Sequence, residues 1–134
     1  CFGGQVLSAA LGGEVRPVDT PEFGWHEVDT DLPDAIAPGP WFEWHYDGFT
    51  VPDGATEIAR TDVSPQAFRI GRSVGTQFHP EVTTELVDRW INMDEKELRA
   101  HGVDPTVMAA RSKEEAVGNR ARSDVLVDWF LDGD

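Results

Sequence analysis

The sequence predicts a single α/β domain, and three features of it do so: a short helical opening, a strand-rich stretch from Glu14 to about Val82, and a predominantly helical remainder. At 134 residues the chain suits one compact unit, because a core of this size buries roughly two-thirds of the surface that the unfolded chain exposes. Five Trp and seven Phe supply bulky material for that core. No repeat, low-complexity tract or linker interrupts the chain, so residues 1–134 read as one domain.

The opening helix is read from the apolar spacing of Val6-Leu7-Ser8-Ala9-Ala10-Leu11 and is stopped by Gly12-Gly13, which places Cys1 just ahead of it. Strands are expected near residues 14–18, 24–29, 42–50, 56–61, 67–71 and 74–78. Their β-branched and aromatic runs alternate with turn residues such as Asp31-Leu32-Pro33-Asp34, Pro38-Gly39-Pro40, Pro52-Asp53-Gly54 and Ser64-Pro65. After Pro80, Thr83 or Thr84 can cap a helix running through Trp90-Ile91. A second helix is expected from Asp94 to His101, ended by Gly102, and a third opens at Asp104-Pro105. A last amphipathic segment sets Val125, Leu126, Trp129 and Phe130 on one face, ready to dock on the body.

Charge excludes some functions. A net charge of −14 argues against a nucleic-acid partner, which requires clustered Lys and Arg to displace counterions, and against anionic membrane surfaces. No basic leader with an apolar stretch and no run of about 18 apolar residues is present, so a cytoplasmic location is expected. A lone cysteine cannot close an intrachain disulfide, and its thiol is either core filler or chemistry.

Two segments carry chemistry. In Cys1-Phe2-Gly3-Gly4-Gln5 a thiol stands at a tight strand-to-helix turn, with small residues that let the helix approach a sheet and a helix dipole that favours thiolate. Taken alone, this segment fits a buried cysteine as well as a reactive one. In Gly75-Thr76-Gln77-Phe78-His79-Pro80-Glu81, imidazole and carboxylate stand two residues apart, a spacing that lets the carboxylate fix the ring's tautomer and steady the imidazolium. A lone strand histidine is more often structural than catalytic.

Together the two segments resemble class I glutamine amidotransferases, whose pattern is Gly-x-Cys-x-Gly-x-Gln followed much later by His-Pro-Glu; Cys1, Gly3, Gln5, His79, Pro80 and Glu81 match it. Glu22-Phe23-Gly24-Trp25 is similar to the family's glutamine-pocket strand, and Trp44-His45-Tyr46-Asp47 to its His-x-Asp loop, so the resemblance covers about residues 1 to 90. It implies a three-layer α/β/α, flavodoxin-like fold with a mainly parallel central sheet, an antiparallel strand region between the two motifs and helices covering the faces. It also implies hydrolysis of L-glutamine to glutamate and ammonia, with Cys1 as nucleophile, His79 as base and Glu81 as the orienting carboxylate. The backbone N–H of Phe2 is then an oxyanion donor, and Gln5, Gly24 and Trp25 grip the substrate. His45 and Asp47 would stand at the mouth of the site or toward an acceptor, and a polar strand-end pair is an equal reading of them. The expected partner is a synthase domain or acceptor protein that receives the ammonia.

The resemblance also implies strands and an oxyanion loop ahead of the nucleophile, so an N-terminal segment of the same domain is expected before Cys1. Three rival readings stand beside this one: an N-terminal-nucleophile amidohydrolase using the α-amino group of Cys1 as base, a γ-glutamyl amide hydrolase of the same fold, and a catalytically silent regulatory or scaffold relative. No cofactor is expected, since neither phosphate-loop glycine pattern occurs. No metal is expected either, because His26, His45, His79 and Glu81 offer no close ligand pair on a common helix face. His26 and His101 are assigned solvated or structural roles.

Overall fold

The computed structural model describes residues 1–133. Helix α1 (Phe2–Ala10) is followed by β1 (Val15–Thr30), β2 (Gly39–Phe49), β3 (Thr56–Arg60), β4 (Pro65–Ile70), β5 (Ser73–Thr76), α2 (Thr84–Ala100) and α3 (Pro105–Asp132). The strands lie in the order β2-β1-β3-β4-β5. Every pairing among the described residues is antiparallel. This agrees with the antiparallel strand region expected between the cysteine and histidine segments, and none of these strands forms a parallel pair. Consecutive strands here are joined by turns such as Gly71-Arg72, whereas parallel neighbours need a crossover of about a dozen residues or more.

The two strands expected at 14–18 and 24–29 are one long strand, whose register against β2 slips between Pro17 and Glu22. Proline has no N–H to give the ladder, so a slip beside Pro17 and Pro21 is where pairing can lapse at least cost. The helices expected at 84–91 and 94–101 are likewise merged, with a kink at Asp94 (φ −128°, ψ 24°). Thr83 caps α2 by accepting from Leu86 N. Asp104 caps α3 by accepting from Thr106 N at 2.8 Å, with Pro105 in the first turn, where its missing N–H costs nothing. Helix α3 then runs unbroken through the amphipathic segment to Gly133, which takes a left-handed φ of 74°.

Alternation along the β1–β2 pair gives the sheet two buried faces. On one face Phe23, Trp25 and Phe42 pack with Val82, Val87, Ile91, Leu98 and Met108. On the other, Val28 and Trp41 pack with Ile58, Ala59, Ala67, Phe78 and Leu126. The cross-strand partners Glu22↔His45 and Gly24↔Glu43 belong to this second face, because directly opposed residues point the same way and successive ones alternate. A group of buried polar side chains therefore continues an apolar core. Helix α3 reaches both layers, through Met108 in one and Leu126 in the other.

Candidate active site

Cys1 is the half-buried N-cap of α1 and makes no side-chain capping bond, so the first amides of the helix, Phe2 N–H among them, have no intrahelical acceptor. The glycines that follow let this end of the helix lie on the sheet. A Cβ at Gly4 would stand 2.5 Å from the carbonyl oxygen of Thr76, and one at Gly75 would meet the Phe68 ring at 2.7 Å and Gly4 Cα at 3.2 Å. Helix α1 thus packs on the strand that leads, three residues on, to His79.

His79 lies just past the end of β5, with its amide donating to Phe42 O at 2.8 Å. Its Nδ1 is 2.7 Å from Glu81 Oε1, and its ring stands edge-on to Trp90 at 5.0 Å. Burial pushes the Glu81 carboxyl up, but the hydrogen bond to His79 and the charge of that ring outweigh it and hold the carboxyl below its ordinary value. A carboxylate accepting at Nδ1 fixes the proton there and leaves Nε2 as the basic nitrogen. That Nε2 is buried and has no hydrogen-bond partner among the described residues, Cys1 included.

The backbone between His79 and Glu81 is held from α3. Ser123 Oγ donates to Pro80 O at 2.7 Å, and the buried Asn119 donates to Pro80 O and Val82 O at 3.3 Å each. A cavity of about 390 Å³ lies between the two elements, lined in part by Glu81, Asn119 and Arg120. Sequence reasoning missed both residues. The available signal was the recurrence of Met108, Ser112, Asn119, Ser123 and Leu126 at helical intervals, which sets small polar side chains on the inward stripe of α3.

The remaining candidates separate. Gln5 donates from Nε2 to Asp47 O at 2.9 Å, which joins α1 to β2. Gly24 takes a left-handed φ of 92° opposite Glu43. Trp25 is core: its indole N–H donates to Ser112 at 2.9 Å and its carbonyl accepts from Arg111 at 3.1 Å. His45 corrects the expectation of a residue at the mouth, because its side chain is 1% exposed. Its Nδ1 is 3.0 Å from Asp47 O and its Nε2 is 2.9 Å from Glu22 Oε2. Asp47 remains half-buried and contributes its backbone carbonyl to both contacts.

Around His45 gathers a group that no short motif announced. Glu22 and Glu43 are both buried, and Gln66 donates to the same Glu22 Oε2 at 3.0 Å. Glu43 Oε2 is 3.3 Å from His45 Nε2 but off the N–H direction, which points at Glu22, so both Glu43 oxygens go without a hydrogen bond. Burial pushes the Glu43 carboxyl up to about 7, against the pull of His45. Burial also opposes the His45 charge, but the bond to Glu22 and the nearby Glu43 carboxyl win and raise the ring to about 9. One ligand atom from each of Glu22, Glu43 and His45 lies within 4.8 Å of the others, a set different from the histidines weighed in the sequence. His26, also near Glu22 at 3.8 Å, donates or accepts at Phe23 O, a structural role.

A cysteine at a helix N-terminus packed on the strand that leads to a carboxylate-oriented histidine is an arrangement that thiol-dependent catalysis can use. The family model for glutamine amidotransferase class-I matches residues 1–98, and the chain belongs to that family. Among curated relatives it is 38% identical over 107 residues to the GMP synthase [glutamine-hydrolyzing] of Aeropyrum pernix, covering 69% of this chain and 21% of the relative. To that of Stenotrophomonas maltophilia K279a it is 40% identical over 101 residues, covering 64% and 19%. The chain thus spans about a fifth of the length of these relatives. A glutamine amidotransferase structure from Thermotoga maritima superposes with a TM-score of 0.88 at 28% identity, covering 98% of this chain and 60% of that one. One from Methylobacillus flagellatus gives 0.89 at 24%, covering 99% and 61%, and supports the fold alone. The three-layer α/β/α architecture of this family is therefore the fold of the chain, even though its described strands pair antiparallel.

Proposed function

We propose that the protein carrying this chain hydrolyses the side-chain amide of L-glutamine by a Cys1-His79-Glu81 mechanism and hands the ammonia to an acceptor. The observation that carries the reading is the buried, unpartnered Nε2 of a histidine whose other nitrogen is held by Glu81, on the segment that adjoins the helix led by Cys1. Nε2 takes the thiol proton, and sulfur attacks the carboxamide carbon. The Phe2 N–H, free of an intrahelical acceptor, stabilises the oxyanion. As that intermediate collapses, the C–N bond breaks and ammonia leaves with the proton from Nε2. A water then gives its proton to His79 and its oxygen to the thioester carbon, which releases glutamate and restores the thiol. Gln5 and the backbone at Gly24 and Trp25 hold the substrate's amino-acid end. The names of the curated relatives point to a nucleotide synthase as the ammonia acceptor.

Glutamate release by the full-length protein and its Cys1→Ala form tests the mechanism. Cys1→Ala is expected to abolish release and labelling by a glutamine-like electrophile; equal release by both forms overturns the proposal. Offering γ-glutamyl amides beside glutamine separates the amidotransferase from a γ-glutamyl hydrolase of the same fold.

A further inference from the structure

We infer that His45, held as an imidazolium by Glu22, is a positioning residue for glutamine binding: it fixes the Asp47 carbonyl, and that carbonyl fixes Gln5. The inference rests on the proposed role of Gln5 in gripping the substrate.

The protonation follows from the acceptors. Nδ1 faces the backbone carbonyl of Asp47 at 3.0 Å, and a carbonyl can only accept, so Nδ1 carries a hydrogen. Nε2 faces Glu22 Oε2 at 2.9 Å, an oxygen that already accepts from Gln66 at 3.0 Å. The proton shared between Nε2 and that oxygen belongs to the imidazole, whose affinity for it the two neighbouring carboxyl groups raise, so Nε2 carries the second hydrogen. Both nitrogens donate, so the ring is charged and cannot serve as a base. The groups facing it from the packed elements are Glu22 of β1, Glu43 of β2 and Gln66 of β4, with His26 on the far side of Glu22. None is a cation fixed in the charged state, so two carboxylates oppose one imidazolium and the proton is held against loss.

The Asp47 carbonyl is the junction. It accepts from His45 and from Gln5 Nε2 at 2.9 Å, so the strand bearing His45 and the helix led by Cys1 meet on one oxygen. With Nε2 of Gln5 committed there, its Oε1 remains the atom available to an ammonium donor such as the substrate's α-amino group. A charged donor at the junction orients that carbonyl more firmly than a neutral one would.

The test is a glutaminase assay on the full-length protein with two readouts, KM and kcat. His45→Asn, which puts a neutral amide where the charged donor stood, is expected to raise KM several-fold and to leave kcat within about twofold. Alkylation of Cys1 by iodoacetamide keeps its rate, whereas labelling by a glutamine-like electrophile slows in step with KM. Gln5→Ala alone and Gln5→Ala with His45→Asn should show the same KM, because His45 acts through Gln5; multiplying effects overturn the inference. If His45→Asn does not fold, Glu22→Gln decides: without the carboxylate's charge the ring titrates nearer its ordinary value of about 6.5, so KM rises several-fold between about pH 6 and pH 8, where the parent is flat. A flat Glu22→Gln profile overturns the inference. So does a stoichiometric divalent metal in the purified protein that Glu43→Gln removes, because that metal would occupy the lone pair on Nε2. An inactive parent protein would instead overturn the glutaminase reading itself.

Discussion

Among the described residues two histidine-glutamate pairs are hydrogen-bonded, at nearly equal length, and they do opposite things. In His79-Glu81 the carboxylate takes Nδ1 at 2.7 Å, its side chain is 57% exposed, and Nε2 is left without a partner. In His45-Glu22 the carboxylate takes Nε2 at 2.9 Å, Glu22 is 4% exposed, and Nδ1 is spent on a backbone carbonyl. A histidine acts as a base through a free nitrogen, so a pair of this kind is competent only when one ring atom is left open. Closing both atoms in a buried place turns the same pair into a fixed charge that organises its surroundings.

The largest effect that tests this contrast is on turnover. His79→Gln should lower kcat/KM by roughly 10²- to 10⁴-fold, the usual worth of a general acid-base group, while His45→Asn moves KM alone. Equal losses from both substitutions would erase the distinction. Stability should rank the pairs the other way. Glu22→Ala leaves a buried imidazolium uncompensated and is expected to cost about 3–5 kcal/mol in urea unfolding, against less than about 1 kcal/mol for Glu81→Ala.

pH sharpens the comparison next. His45 has a folded value of about 9, above the ordinary 6.5, and Glu43 one of about 7, above 4.5. In each window the folded state binds more protons than the unfolded one, so stability falls as pH rises. The contribution of Glu43 is complete below about 4.5 and lost through about 7, and that of His45 is complete below about 6.5 and lost through about 9. The midpoint of thermal unfolding should therefore decline from about pH 5 to pH 9, with Glu43→Gln removing the lower half of the decline. Glu81 runs oppositely, since its depressed carboxyl adds stability that is lost on acidification.

Smaller effects reach the pairs from outside. Ser123→Ala removes one hydrogen bond to Pro80 O, so a loss of about 1 kcal/mol and a few-fold drop in kcat are expected, with KM unchanged. The exposed Arg99-Glu95 pair on α2 should contribute about 0.3–0.5 kcal/mol on Arg99→Ala and nothing to turnover.

The two pairs also differ in how far they could be read in advance. His79 and Glu81 are two residues apart, so one short motif names both, and Cys1 is announced by the glycines that its helix needs to lie on β5. Glu22 and His45 are 23 residues apart in sequence and opposed in register, and nothing in either segment states that register. His45 was accordingly expected at the mouth of the site and is found inside. The antiparallel region between the two motifs was expected, but the local runs gave only its strands and not the partner that each strand takes.

By itself the sequence determined the order of elements, the caps at Thr83 and Asp104, the family and the three residues of the proposed mechanism. Each of these rests on residues close in the chain or on a motif with its own spacing. Only the tertiary structure decided that β1 is one strand with a slip near Pro17, that α3 holds the Pro80 carbonyl, and that two buried glutamates surround His45. These features join residues distant in sequence, and their energies depend on burial and direction, which take definite values only once the chain has folded.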